Sequence, residues 1–195
     1  MKIVFIILGI LLSLFIVYRV IAQQSVKNIE EYPYELIKTY PGFELRAYEA
    51  SLFTSVKLNT SAYGEASGSG FRVLANYIFG GNEDSQKIAM TSPVAMSLED
   101  SMTMMFMVPS SYKKENLPKP NNSNIKFKEM PPKKMAAIRF SGWANDEKIE
   151  EHKQLLIKGL NKQGIPFKEP FYFMGYDPPY EIINRRNEVV VEVLE

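Results

Sequence analysis

One imidazole and no thiol bound the chemistry open to this chain: among its 195 residues His152 is the only histidine, and there is no cysteine. A Ser-His-Asp triad, a multi-histidine metal centre, a thiolate nucleophile and a Cys-ligated zinc or iron–sulfur site all lack their parts. His152 follows Ile149 by three residues and precedes Leu156 by four, at the edge of an apolar helical stripe, a position that reads as packing before ligation. Methionine is the other resource. Six of the ten methionines are Met90, Met96, Met102, Met104, Met105 and Met107. On a strand, Met102 and Met104 share one face while Met105 and Met107 share the other. Thioethers can ligate soft metals, but in so apolar a β-rich run they read as core or as the lining of a ligand pocket. The carboxylates Asp146, Glu147, Glu150 and Glu151 could suggest acid–base work; at the start of a helix they are explained by the helix dipole. Gly64, Gly68 and Gly70 have no strand-turn-helix context for a phosphate cradle and read as a small-residue helix start that allows close packing. Walker, dinucleotide, HExxH and nucleophile-elbow patterns are absent from the sequence.

The elements that must position these residues follow from periodicity. Extended segments are expected at 34–40, 43–48 and 52–58, with Pro41-Gly42 turning between the first two. A helix over 62–79 carries Phe71, Leu74 and Ile78 on one stripe and stops at Gly80-Gly81. Strands follow at 87–90, 94–98 and 102–108, then a Pro- and Asn-rich surface loop over 109–124. The order then repeats: strands at 125–130 and 134–140, a helix at 145–163 with Asn145 as N-cap and Gly164 as C-cap, and strands at 170–176 and 188–194. Strand-strand-helix-strand-strand, twice over, predicts an α+β fold. Two halves would form a distorted antiparallel barrel with two flanking helices that cover apolar faces neither half could bury alone.

Composition adds bounds. Lys plus Arg number 23 against 22 Asp plus Glu, so the basic footprint of a nucleic-acid binder is missing. With 46% hydrophobic residues the chain builds a real core. Residues 3–18 carry no charge, and the apolar run continues past Arg19 to Ala22. About twenty residues at ~1.5 Å each span roughly 30 Å of hydrocarbon. Two readings fit: an uncleaved single-pass anchor, favoured by that length, and a signal peptide cut after Ala22 that would export the domain. Lys2 on one side and Arg19 with Lys27 on the other leave the orientation open. The expected organisation is therefore a hydrophobic segment at 1–22, a polar linker at 23–31 and one domain at 32–195.

Four stretches have a joint identity. Phe43-Glu44-Leu45-Arg46-Ala47-Tyr48, Lys87-Ile88-Ala89-Met90-Thr91-Ser92-Pro93-Val94, Phe140-Ser141-Gly142-Trp143, and Gly175-Tyr176-Asp177-Pro178-Pro179 with Arg185-Arg186-Asn187-Glu188-Val189 stand in order along the chain. Together, over residues 33–195, they resemble the SOUL haem-binding protein family. The resemblance implies the duplicated α+β fold. It also implies non-covalent binding of haem or another tetrapyrrole in an apolar groove along one helix, without enzymatic machinery. One branch of that family carries a histidine considered an axial ligand where this chain has Ala47, so that coordination does not operate here. The expected walls are Phe71, Leu74 and Ile78 with Met90 nearby, and Arg72 or Lys87 would reach the propionates. Arg185 and Arg186 would pair with carboxylates elsewhere or with propionates. The expected function is haem buffering, transfer or sensing at a membrane. The alternative is an effector- or protein-interaction domain of the same fold. An enzyme would have only carboxylates, Tyr and Lys to work with.

Overall fold

The computed structural model describes residues 29–178, 181 and 185–194, together with Ile10 and Ser13. The chain divides into two compact units, Met1–Glu30 and Glu31–Glu195. In the first, the Ser13 hydroxyl donates to the Ile10 carbonyl at 2.8 Å, a bond one helical turn back. The rest of the expected hydrophobic segment lies outside the described residues. Among the described residues no helix is long and apolar enough to cross a membrane.

The second unit is α+β. Its chain order is β2 (Tyr34–Tyr40), β3 (Phe43–Tyr48), β4 (Ser51–Lys57), helix α1 (Tyr63–Ile78), then β5 (Thr91–Ser92), β6 (Val94–Ser97) and β7 (Thr103–Met107), after a two-residue β1 (Glu30–Glu31). There follow β8 (Ile125–Met130), β9 (Lys133–Phe140), helix α2 (Asp146–Gln163), β10 (Phe167–Gly175) and β11 (Asn187–Val193). Nine strands form one antiparallel sheet in the order β2-β3-β9-β11-β10-β6-β7-β4-β8. Leaving out β2, that order is a palindrome of the two halves about the central pair β10 and β6. Each half gives its first strand to the far edge of the other: β3 pairs with β9 of the second half, and β8 with β4 of the first. The duplication expected from the element order is thus present as a pseudo-dyad. The sheet curls but does not close, because β2 and β8 remain edges; the expected barrel is an open half-barrel.

Residues 87–90 correct another expectation. They do not form a strand of the sheet; Lys87 makes only an isolated bridge to Phe79. The reason is local: the Ile88 N–H is taken by the Ile78 carbonyl at 2.8 Å, which ties this segment to the end of α1. Both helices lie on one face of the sheet. α1 covers Val56, Met96, Met104 and Phe106, while α2 covers Ala136, Ile138, Phe171, Val189 and Val191. The other face closes over Tyr48, Phe53, Met105, Met107, Met135, Met174 and Val190. Period-2 alternation along β7 therefore puts Met104 under α1 and Met105 and Met107 in the opposite core, all buried.

Helix α2 shows why sequence signals placed its ends. The Asn145 side chain accepts the Lys148 N–H, and Gly164 takes the left-handed conformation (φ 65°) that a C-cap glycine adopts without a Cβ penalty.

Candidate functional site: a groove between helix α1 and the loops before α2 and β11

Over the central strand pair, on the helical face, runs a groove of about 690 Å³. This is within the range of roughly 300–1,000 Å³ typical of small-molecule sites. One wall is a stripe of α1: Ser67, Gly68, Phe71, Arg72, Ala75 and Asn76, at helical spacing. The floor is Val94 and Met96 of β6 beside Gly175 and Phe173 of β10, opposite each other in register, with Met104 of β7 next to them. The facing wall comes from loops: Trp143 and Ala144 before α2, Asp177 and Arg185 before β11, and Asn187 at the strand's start. Gly68 and Gly175 keep the passage open because neither has a side chain. Two large aromatics stand half out of the core on opposite walls, Phe71 at 38% exposure and Trp143 at 54%. Phe71 is held from below by Phe106, ring centroids 5.3 Å apart, and Tyr63 meets Phe173 edge-on at 4.9 Å.

Two cations border this apolar space. Arg72 stands exposed on α1. Arg185 is fixed: its Nη1 donates to the carbonyls of Pro178 and Glu181 at 2.8 and 2.7 Å, its Nη2 to that of Asp177 at 3.1 Å, and its guanidinium lies 4.4 Å from the Trp143 ring centroid. Burial raises the Tyr63 hydroxyl above its ordinary value, a rise that Arg185's positive charge opposes and Asp146's negative charge reinforces.

The residues expected at the site separate into two sets. Phe71 and Arg72 line the groove. Leu74 and Ile78, three and seven residues on from Phe71 along the same apolar stripe, are 0% and 4% exposed in the core and outside the groove's lining. Lys87 is exposed past the end of α1 and Met90 packs half-buried against that same core; neither is part of the groove's lining. His152 is also elsewhere, its ring stacked 4.3 Å from Phe140 and its Nδ1 2.7 Å from the Lys148 carbonyl. Among the described residues no cluster of three His, Cys, Asp or Glu side chains suits a metal ion. The floor and loop wall were missed because long-range pairing brings Val94 to Gly175. The residues themselves carried signals, Val94, Trp143, Gly175, Asp177, Arg185 and Asn187 through their motifs and Met96 and Met104 as possible pocket lining, but nothing local showed that they meet.

On the sheet's other face charged and tyrosine residues of the first and last motifs meet. Glu188, 0% exposed, is gripped by Arg46 through Nη1 at 2.7 Å and Nη2 at 3.1 Å, by Arg186 Nε at 3.0 Å and by the Tyr176 hydroxyl at 2.9 Å. Arg46 also binds Glu44 and Tyr48, and Arg186 reaches Glu31. Burial pushes the Glu188 carboxyl up, but hydrogen bonds and charge from Arg46, with Arg186 and Tyr176, outweigh it and hold the carboxyl below its ordinary value. The F-E-x-R-x-Y and R-x-E pieces are thus one buried ionic staple. It joins β3 to β11 and lies away from the groove.

A second groove, of about 630 Å³, lies at the other end of the helix seam and shares only Tyr63 with the first. Its lining carries Glu99, Asp100, Asp146, Glu150 and Glu169 against the single cation Lys153, so it repels anions where the first groove attracts them.

Residues 29–192 match the family model described as SOUL heme-binding protein. Heme-binding protein 1 of Xenopus laevis is 30% identical over 156 residues, covering 75% of this chain and 81% of that protein. Heme-binding protein 2 of Homo sapiens is 29% identical over 159 residues, covering 76% and 77%. Among solved structures, the EcmrR C-terminal domain superposes with a TM-score of 0.62 at 10% identity, covering 83% of this chain and 98% of that one. A hydrolase from Listeria innocua superposes with a TM-score of 0.53 at 8% identity, covering 81% and 94%. At such identities these last two share the fold.

Proposed function

The chain belongs to the SOUL haem-binding protein family, and from that premise we propose that it binds haem or a related tetrapyrrole non-covalently, without catalysing a reaction, in the groove beside α1. The observation that carries this reading is an apolar trough with half-exposed aromatics on opposing walls and cations at its border, the donor set that a flat apolar ring with carboxylate arms requires. When bound, haem would supply its iron and its absorbance. The chain's own part is burial and orientation. Phe71 and Trp143 offer ring faces, Val94, Met96 and Phe173 exclude water from the floor, and Arg72 and Arg185 favour the end of the ligand that carries negative charge. Burying ~400 Å² of apolar ligand surface is worth about 10 kcal/mol gross at ~25 cal/mol per Å². Losses of translational freedom and side-chain order take back much of it. Moderate affinity is the expected outcome.

The hydrophobic run at 1–22 supports placing this domain at a membrane, where it would buffer, transfer or sense tetrapyrrole; removal of the run as a signal would instead release the domain after export. Hemin titration of the Glu31–Glu195 unit tests the first part. A saturable 1:1 Soret change is expected, weakened by Gly68→Leu, which fills the trough. A folded protein without saturable change would overturn the haem reading and leave the effector- or protein-interaction domain. Carbonate extraction of membranes from cells expressing the full chain tests the second part, with retention in the pellet expected for an anchor.

A further inference from the structure

The edge strand β2 stands in solvent along its length: Glu35, Leu36, Ile37, Lys38 and Thr39 are all exposed, and only its end residues Tyr34 and Tyr40 are half-buried. Leu36 is 55% exposed and its neighbour Ile37 46%. Two adjacent apolar side chains on an unpaired edge are a template for another strand. A lysine and a bulge ordinarily protect such an edge. β2 carries both, in Lys38 and in the extra residue Ile37, which falls between Leu36 opposite Arg46 and Lys38 opposite Leu45. Their effect here is the reverse. In an unbroken strand residues 35 and 38 point to opposite faces. The bulge turns the chain over: Tyr34 packs with Tyr48 into the core of the non-helical face, while Tyr40, six residues on, stacks on Phe43 in the core under α2. Glu35, opposite Ala47, and Lys38, opposite Leu45, therefore share the helical face. Tyr34, opposite Tyr48, and Thr39, opposite Glu44, share the other.

The run Glu35-Leu36-Ile37-Lys38 is consequently self-complementary about its midpoint. We propose that β2 is a homodimerisation edge, pairing antiparallel with β2 of a second copy across a two-fold axis between Leu36 and Ile37. In that register Glu35 of each copy meets Lys38 of the other, Leu36 meets Ile37, and Tyr34 meets Thr39. The charged pair and the Tyr34–Thr39 pair have their faces matched, as cross-strand neighbours require. Each contact occurs twice, so the interface is isologous and closes at two copies. The Lys38 ammonium is held near this position already, 4.6 Å from the centroid of the Tyr40 ring. A seven-residue edge is a small contact, in the transient class below about 1,200 Å². The expected dissociation constant is on the order of 100 µM. None of this depends on what the groove beside α1 binds.

The test is sedimentation of the full chain in detergent over a concentration series at low salt, where a monomer–dimer equilibrium is expected for the wild type. Glu35→Lys and Lys38→Glu each set like charges opposite one another at both ends of the contact. Either alone is expected to weaken dimerisation at least about tenfold. Mixed in equal amounts, the two variants restore opposite charges at both ends, so the mixture is expected to associate as the wild type does. That rescue separates a broken contact from a misfolded chain. A wild type that stays monomeric up to about 1 mM would overturn the proposal and leave the bulge and Lys38 as protection of the edge. Association of equal strength in the wild type and both single variants would assign it to another surface, the hydrophobic run at 1–22 among them, and overturn it too. So would a mixture that associates no better than its components.

Discussion

The Asp146 carboxylate, in the first turn of α2, accepts the backbone N–H of Tyr63, the first residue of α1, at 2.5 Å and that of Gly64 at 3.3 Å. Helix α1 begins after Ala62, which has no side chain to cap it, so the second half of the duplicated fold caps the first. The bond spans the helix seam beside Tyr63, the one residue lining both grooves. Asp146→Ala should cost about 1 kcal/mol, the usual value of a lost N-cap. Because the lost contact positions the start of the groove's wall, hemin affinity should fall as well. Urea unfolding together with hemin titration checks both, and an unchanged midpoint would argue that the capping is energetically idle.

The staple around Glu188 makes a larger claim. Glu188→Gln leaves the buried Arg46 and the partly buried Arg186 against an amide whose NH₂ faces their donors, and breaking the buried Arg46 pair in this way costs about 3–5 kcal/mol. The pH dependence has a definite sign. The Glu188 carboxyl is held below its ordinary value in the folded chain, so its contribution is complete above that ordinary value (about 4.3) and is lost as pH falls through the folded value. The wild type should therefore show an acid limb below about pH 4 that is shallower in Glu188→Gln. Denaturant midpoints measured across pH 3 to 7 decide it; parallel limbs would assign the acid sensitivity to other carboxylates.

Local signals carried most of the elements. Helix α2 was legible to within a residue because Asn145 and Gly164 punctuate it, and α1 because its apolar stripe survives three glycines. What a linear pattern could not carry was which strand lies beside which. The exchange of β3 and β8 between the halves depends on pairings such as Glu44 with Ala137 and Thr54 with Phe127, residues tens of positions apart. The site suffered for the same reason. Phe71, Leu74 and Ile78 share one apolar stripe, yet α1 is buried on one side and lines a groove on another, and only Phe71 of the three faces the groove. The hydrophobic period reports burial. It does not distinguish a core from a ligand.

Gly68 and Gly70 should respond in opposite directions to the same substitution. A Cβ at Gly70 would meet Leu58 Cδ1 at 2.9 Å and Met104 Sδ at 3.1 Å, whereas at Gly68 nothing lies within 4 Å. Alanine gains about 1 kcal/mol of helix propensity over glycine at either place. At Gly68 that gain stands, and Gly68→Ala should stabilise the protein. At Gly70 overpacking costs about 1–3 kcal/mol and outweighs it. Thermal unfolding of the two variants side by side measures the difference, and a stabilised Gly70→Ala would mean that Met104 moves aside freely.

His152→Ala and Met90→Ala should leave the hemin spectrum as it is in the wild type. The His152 ring is stacked on Phe140 and hydrogen-bonded to the Lys148 carbonyl on α2, and Met90 packs into the core beneath α1; neither belongs to the groove's lining. His152→Ala gives up that stacking contact, worth about 0.5–1.5 kcal/mol, so its effect belongs in the unfolding midpoint. The groove's own sulfur groups are Met96 and Met104, paired across β6 and β7 and each 1% exposed. Spectra of both variants in the oxidised and reduced states separate these cases. Loss of a ligand-field feature in His152→Ala would move the binding site from the groove beside α1 to the outer side of α2.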